Sequence, residues 1–224
     1  MPAFLREVVD LTAEYAACFK PNVAFFERLG PGGLAELARL IADLRARGLP
    51  VIADAKRGDI GSTAEAYAAA YFGGPFGVDA LTVNPYLGLD TLEPFRAAAA
   101  AEDAGVFIVL RTSNPGAATF QQPAEAALVD AIRSEPAFGA VVGATDPATG
   151  GRLRAALPDT LFLVPGFGVQ GGDDVRPFFL RGSGAIVNSS RGILYASERR
   201  PEWRDAVRSA AQAAHATIER ARSG

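Results

Sequence analysis

The residues with the most chemical potential in this chain stand together in the segment Asp54-Ala55-Lys56-Arg57-Gly58-Asp59-Ile60-Gly61-Ser62-Thr63. Its D-x-K-x-x-D pattern follows an apolar run, Pro50-Val51-Ile52-Ala53. In an extended strand, residues i and i+2 point to one side, so Asp54 and Lys56 are expected to project together where that run ends, with Asp59 on the loop beyond. An ammonium between carboxylates at the mouth of an apolar strand is costly to desolvate unless the groups pair. Such a lysine is held in its charged form by its anions and can donate a proton or stabilise a developing negative charge. A solvated loop whose charges cap the next helix is the plainer alternative.

Composition excludes much other chemistry. The 224 residues are 49% hydrophobic and 21% charged, with a formal net charge of −3. That suits one soluble domain over residues 1–224 and gives nucleic acid no basic surface. One cysteine, Cys18, and one histidine, His215, cannot build a disulfide framework or a multi-histidine metal centre, and they argue against a histidine-based triad. Lysines and carboxylates must therefore carry any reaction. No apolar stretch approaches the ~20 residues that cross a bilayer, and the N-terminus lacks a signal layout, so a cytoplasmic protein without membrane contact is expected.

The elements that must position these groups alternate. Short apolar runs at Ala17–Lys20, Pro50–Asp54, Ala80–Asn84, Val106–Leu110, Ala140–Ala144, Leu161–Val164 and Ala185–Asn188 are separated by helical patterns. These patterns fall at Leu34–Arg47, Ser62–Tyr71, Leu89–Ala104, Pro123–Ser134 and Gly151–Ala156, with a last helix over Glu202–Arg222. Runs apolar on consecutive positions read as parallel strands buried on both faces, joined in βαβ units. No G-x-G-x-x-G follows the first strand run, where a doubly wound dinucleotide fold carries its glycine-rich turn; the one that occurs, Gly166–Gly171, lies late in the chain. Polar residues at the ends of many runs (Lys20, Asp54, Lys56, Asn84, Ser113, Ser189) instead indicate an α/β fold of the TIM (β/α)₈ barrel type. The glycine-rich loop Pro165–Gly172 and the segment Asn188-Ser189-Ser190-Arg191-Gly192 fit the phosphate-binding loops that follow the last two strands of such barrels. Arg191 supplies the forked donor.

Taken together, D-A-K-R-G-D-I-G-S-T, C-F-K-P-N, T-V-N-P-Y-L-G, R-T-S-N-P-G, P-G-F-G-V-Q-G-G and S-S-R-G-I strongly resemble the orotidine 5′-monophosphate decarboxylase family, in its bacterial branch. The resemblance runs from about residue 4 to the final helix. It implies conversion of orotidine 5′-monophosphate (OMP) to UMP and CO₂, the last step of de novo pyrimidine nucleotide synthesis, without metal or organic cofactor. It also implies a homodimer with shared sites. Lys20, Asp54, Lys56 and Asp59 match the family's Lys–Asp–Lys–Asp array, with Lys56 the proton donor. Asp59, Ile60 and Thr63 would enter the neighbouring subunit's site. Ser113 would meet the pyrimidine's amide edge, and Pro165, Gln170, Ser190 and Arg191 would line the phosphate pocket. No role for Arg57 follows.

Family members open with a strand whose final aspartate holds the ribose, whereas this sequence begins at the helical pattern Phe4–Tyr15. A barrel lacking its first strand, with seven strands and an opening between the strands at Cys18–Lys20 and Ala185–Asn188, is therefore expected. Two further readings share the D-x-K-x-x-D spacing: a Mg²⁺-dependent phosphosugar decarboxylase or aldolase, and an inactive phosphate-binding barrel fragment.

Overall fold

A computed structural model describes residues 2–168, 172, 174–179, 184–197 and 201–223. Contacts divide the chain into two compact units, one of residues 18–110 and 124–141 and the other of residues 1–17, 111–123 and 142–224.

The first unit carries the strands β1 (Ile52–Arg57), β2 (Ala80–Val83), β3 (Gly105–Arg111) and β4 (Phe138–Val142), adjacent in chain order. Around them run α2 (Ala24–Glu27), α3 (Gly30–Ala46), α4 (Gly61–Tyr71), α5 (Glu93–Ala101) and the later part of α6 (Ala117–Ser134). Every residue of β2 and of β4 is buried, as strands covered on both faces require. β1 runs parallel to β2, and β2 parallel to β3 in unbroken register from Ala80↔Gly105 to Val83↔Ile108. The register between β1 and β2 is broken: Ala53 faces Leu81, but Arg57 faces Val83. Two more residues are thus accommodated on β1 than on β2 across this interval, which is a β-bulge within the charged motif.

The run at Ala17–Lys20 does not form a strand. Its backbone pairs through the isolated bridge Phe19↔Val51, followed just beyond the run by Asn22↔Asp54, so the described residues contain six strands where seven runs were expected. Pro21 lies between the two bridges and has no N–H to offer a ladder. It still accepts from the Asp54 N–H at 3.0 Å, and Val23 N–H donates to the Asp54 carbonyl at 3.2 Å. The segment is therefore fixed to the start of the motif. Cys18, in the same segment, has a thiol pushed up to about 11 by burial, with Lys20 opposing and Asp79 adding to the shift.

The second unit holds α1 (Pro2–Thr12), α7 (Pro147–Ala156), β5 (Phe162–Pro165), β6 (Ala185–Asn188), α8 (Arg191–Leu194) and α9 (Trp203–Ser223). The apolar face of the opening helix finds its partner here. Val8 and Leu11 pack with Val207 of α9, flanked by Ile193, Leu194 and Trp203, and the Phe4 ring lies 5.2 Å from that of Trp203. Asp146 caps α7 by accepting from Thr149 N–H at 3.0 Å. Arg154, 1% exposed, is the polar anchor of this unit. Its guanidinium donates to the carbonyls of Phe178 (2.9 Å), Leu157 (2.9 Å), Thr160 (2.7 Å) and Gly184 (3.0 Å), and lies 3.6 Å above the Phe162 ring. Burial pulls its pKa down to about 10, with Asp159 opposing, so it stays charged at neutral pH.

Candidate active site

In the first unit the charged motif gathers at the end of β1. Asp54 is central: Lys20 Nζ donates to its Oδ2 at 2.7 Å, and Lys56 Nζ pairs with its Oδ1. The Lys20 and Asp54 side chains are only 7% and 10% exposed, whereas that of Lys56 is 45% exposed. Burial alone would raise the Asp54 pKa, but the two lysines outweigh it and leave the carboxyl below its ordinary value. Asp54 is therefore a fixed anion at neutral pH, paired with a lysine whose side chain is nearly half exposed.

Lys56 adopts φ +48°, in the left-handed region that residues with a Cβ avoid. The i, i+2 alternation expected of a straight strand thus does not describe this pair. Asp54 and Lys56 come together through the bulge and a direct ion pair instead. The backbone here is held by Thr82 of β2, whose hydroxyl accepts from the N–H groups of Ala55 (3.0 Å) and Lys56 (2.9 Å). Sequence reasoning passed over Thr82. The only signal was a polar residue inside an otherwise apolar run one strand away from the motif.

Asp59 does not join the cluster within this chain. Its Oδ1 accepts from the Ile60 N–H at 2.8 Å, at the entry to α4. Ile60 is 61% exposed and Thr63 is exposed on the first turn of that helix. Arg57, left without a role by the sequence, ties the loop down. Its guanidinium pairs with Glu27 of α2, donates to the Tyr71 hydroxyl at 3.3 Å and to the Ala55 carbonyl at 3.3 Å, and lies 5.3 Å from the Tyr67 ring centroid.

The other predicted residues lie in the second unit. Ser113 is exposed beyond β3, next to Thr112, whose N–H is held by the Gln121 side chain at 2.9 Å. The chain beyond β4 passes so close that a Cβ at Gly143 would stand 3.0 Å from Ser113 N. β5 and β6 run parallel with Pro165 opposite Asn188, so the loops that follow them leave side by side. Gly168, at φ +87°, lies against the second loop, its Cβ position 3.7 Å from Ser189 Oγ. Ser190 precedes α8 and Arg191 begins it, both exposed. Gln170 lies outside the described residues. Among the described residues no group of three or more His, Cys, Asp or Glu could hold a metal ion, and no helix is long and apolar enough to cross a membrane.

The Orotidine 5'-phosphate decarboxylase / HUMPS family model matches residues 2–206. This chain belongs to the orotidine 5′-phosphate decarboxylase family. It is 45% identical to the orotidine 5′-phosphate decarboxylase of Rhodopirellula baltica over 92% of this chain and 80% of that one. It is also 45% identical to that of Haloarcula marismortui over 90% of this chain and 76% of that one. Among solved structures, the OMP decarboxylase of Leishmania donovani superposes with a TM-score of 0.84 at 34% identity, over 100% of this chain and 88% of that one. These likenesses carry the α/β-barrel fold class read from the sequence.

Proposed function

We propose that this chain decarboxylates OMP to UMP and CO₂, with Lys56 as the proton donor. The observation that carries the reading is the cluster at the end of β1, in which an ionised Asp54 is clamped by buried Lys20 and presents the exposed ammonium of Lys56. Membership of a decarboxylase family supplies the reaction.

Loss of CO₂ from C6 of a pyrimidine leaves an in-plane carbanion with no adjacent electron sink. An ammonium fixed beside C6 stabilises that charge as it forms and then neutralises it by giving up its proton. Asp54, next to the departing carboxylate, orients Lys56 through their ion pair, and Lys20 keeps Asp54 in place and is free to meet a ribose hydroxyl. Ser113 contacts the amide edge of the ring. Pro165, Gln170, Ser190 and Arg191 bind the phosphate, Ser190 through its backbone N–H and Arg191 by charge-assisted hydrogen bonds. Binding energy from the phosphate, remote from C6, goes into orienting the reacting ring. The reaction so written uses no metal or organic cofactor.

Asp59, Ile60 and Thr63 are assigned to the site of a second copy, in a homodimer acting in the cytoplasm. What supports the second copy's role is that Asp59 accepts from the Ile60 N–H and that Ile60 is exposed. The direct test is Lys56→Ala assayed for OMP turnover and UMP binding. Turnover should disappear while UMP still binds. A variant that turns over at the native rate would remove Lys56 from the chemistry.

A further inference from the structure

We propose that Thr82 is a positioning residue for the decarboxylation, its hydroxyl fixing the geometry of Lys56 and Asp54 together; this rests on the reading of Lys56 as the proton donor. A bulge takes backbone groups out of the ladder, and their N–H groups need other acceptors. On β1 the two groups concerned belong to Ala55 and Lys56, and both turn to one atom, Thr82 Oγ1, at 3.0 and 2.9 Å. Thr82 is 1% exposed, so water does not take its place.

A hydroxyl has one proton to give and two lone pairs to fill. The two N–H groups fill the lone pairs. The proton has two acceptors in reach, Asp54 Oδ1 at 3.3 Å and the Ala53 carbonyl at 3.5 Å. The carboxylate is the nearer and the charged one, so it takes the stronger bond. One side chain from the neighbouring strand therefore grips the N–H of Lys56, the N–H before it and the carboxylate that aims its ammonium. This grip also accounts for the left-handed backbone of Lys56. A residue with a Cβ persists at φ +48° only where its surroundings hold it. Valine has the shape of threonine without the acceptor. In its presence two part-buried N–H groups lose their partner, and the backbone of Lys56 is free to relax toward the ordinary strand region.

The test compares Thr82→Val, Thr82→Ser and Thr82→Ala with Lys56→Ala, measuring kcat, KM for OMP, the affinity for UMP and the unfolding midpoint of each. Thr82→Val should lower kcat by about tenfold to a hundredfold, the loss typical of a reacting group displaced by about 1 Å. KM and UMP affinity should stay within about threefold, since the interaction lost acts on the transition state and not on ground-state binding. Thr82→Ser, which restores the hydroxyl alone, should recover most of kcat. If Thr82→Val does not fold, the Ser and Ala variants carry the same comparison. A kcat in Thr82→Val within about threefold of native overturns the proposal. So does a Ser variant as slow as the Val or Ala variant, or a parallel loss of UMP affinity and kcat. Should Lys56→Ala itself turn over normally, the fault lies in the reading of Lys56 and not in the Thr82 network.

Discussion

Replacing Lys20 by methionine should reverse the titration behaviour of Asp54. The methionine keeps the apolar stem and removes only the charge. At the observed 2.7 Å, the Lys20–Asp54 attraction is about 6 kcal/mol at an effective dielectric of 20, before the cost of desolvating both ions. Net of that cost, an opposite charge in this position lowers a carboxyl by about 1–3 pKa units, or about 1.4–4 kcal/mol. Burial pushes the other way and is the largest single influence on Asp54. Lys56, being 45% exposed, is screened by water and offsets burial only in part. The Asp54 carboxyl should therefore move from below its ordinary value to above it.

The consequence for stability changes sign with it. In the native protein the folded pKa lies below the unfolded one. The pairing then stabilises the fold at every pH above the unfolded value and is lost as acid takes the pH down through the folded value. In Lys20→Met the folded pKa lies above the unfolded one. Neutral solution then carries the penalty of a buried, underpaired carboxylate, and mild acidification through the raised pKa relieves it. Carbon NMR titration of the Asp54 carboxyl reads the shift directly and does not depend on activity. Urea unfolding at neutral and at mildly acidic pH should show the deficit of Lys20→Met shrinking in acid. An Asp54 that still titrates below the ordinary range in Lys20→Met, or a deficit equal at both pH values, would refute the account.

Two other outcomes are expected. Mixing inactive Asp59→Ala with inactive Lys56→Ala chains under subunit exchange should restore activity at about a quarter of all sites, because half of randomly paired dimers are mixed and each has one intact site; no recovery in verified mixed dimers would place Asp59 elsewhere. Arg154→Met should cost about 3–5 kcal/mol in urea unfolding, since it leaves buried carbonyls without their charged donor; a loss under ~1 kcal/mol would mean those carbonyls find water.

How far the sequence could be read depended on the range of the interactions involved. Strand runs and helices follow from local apolar patterning, and β3, β5 and β6 lie where their runs predict. The ends of elements were less legible where proline intervenes. Pro123 suggested a helix start, yet α6 begins at Ala117 and carries Pro123 inside it. Pro21 leaves this segment with isolated bridges at Phe19 and Asn22 in place of a strand over Ala17–Lys20. At the site, the residue types identified the cluster, because few structural sequences place two lysines and an aspartate against an apolar strand. Its geometry was not readable. The bulge depends on a hydroxyl contributed by β2, and the place of Arg57 depends on Glu27 and on two tyrosines one turn apart on α4. No spacing within the motif encodes either partner.

Cys18 gives the molecule a practical property. The thiolate is the form that attacks thiol reagents, and burial holds the Cys18 thiol up at about 11, so far less of it is thiolate at neutral pH than the few per cent of an ordinary exposed thiol. The native chain is thus close to silent toward maleimide or spin-label reagents without any residue having to be removed. A Glu65→Cys substitution, at an exposed position on α4 outside the assigned site residues, would label far faster than the native thiol. Electron–electron distance measurement between two such labels would then report where the α4 helices lie when two copies associate, with the Lys20–Asp54–Lys56 cluster left untouched.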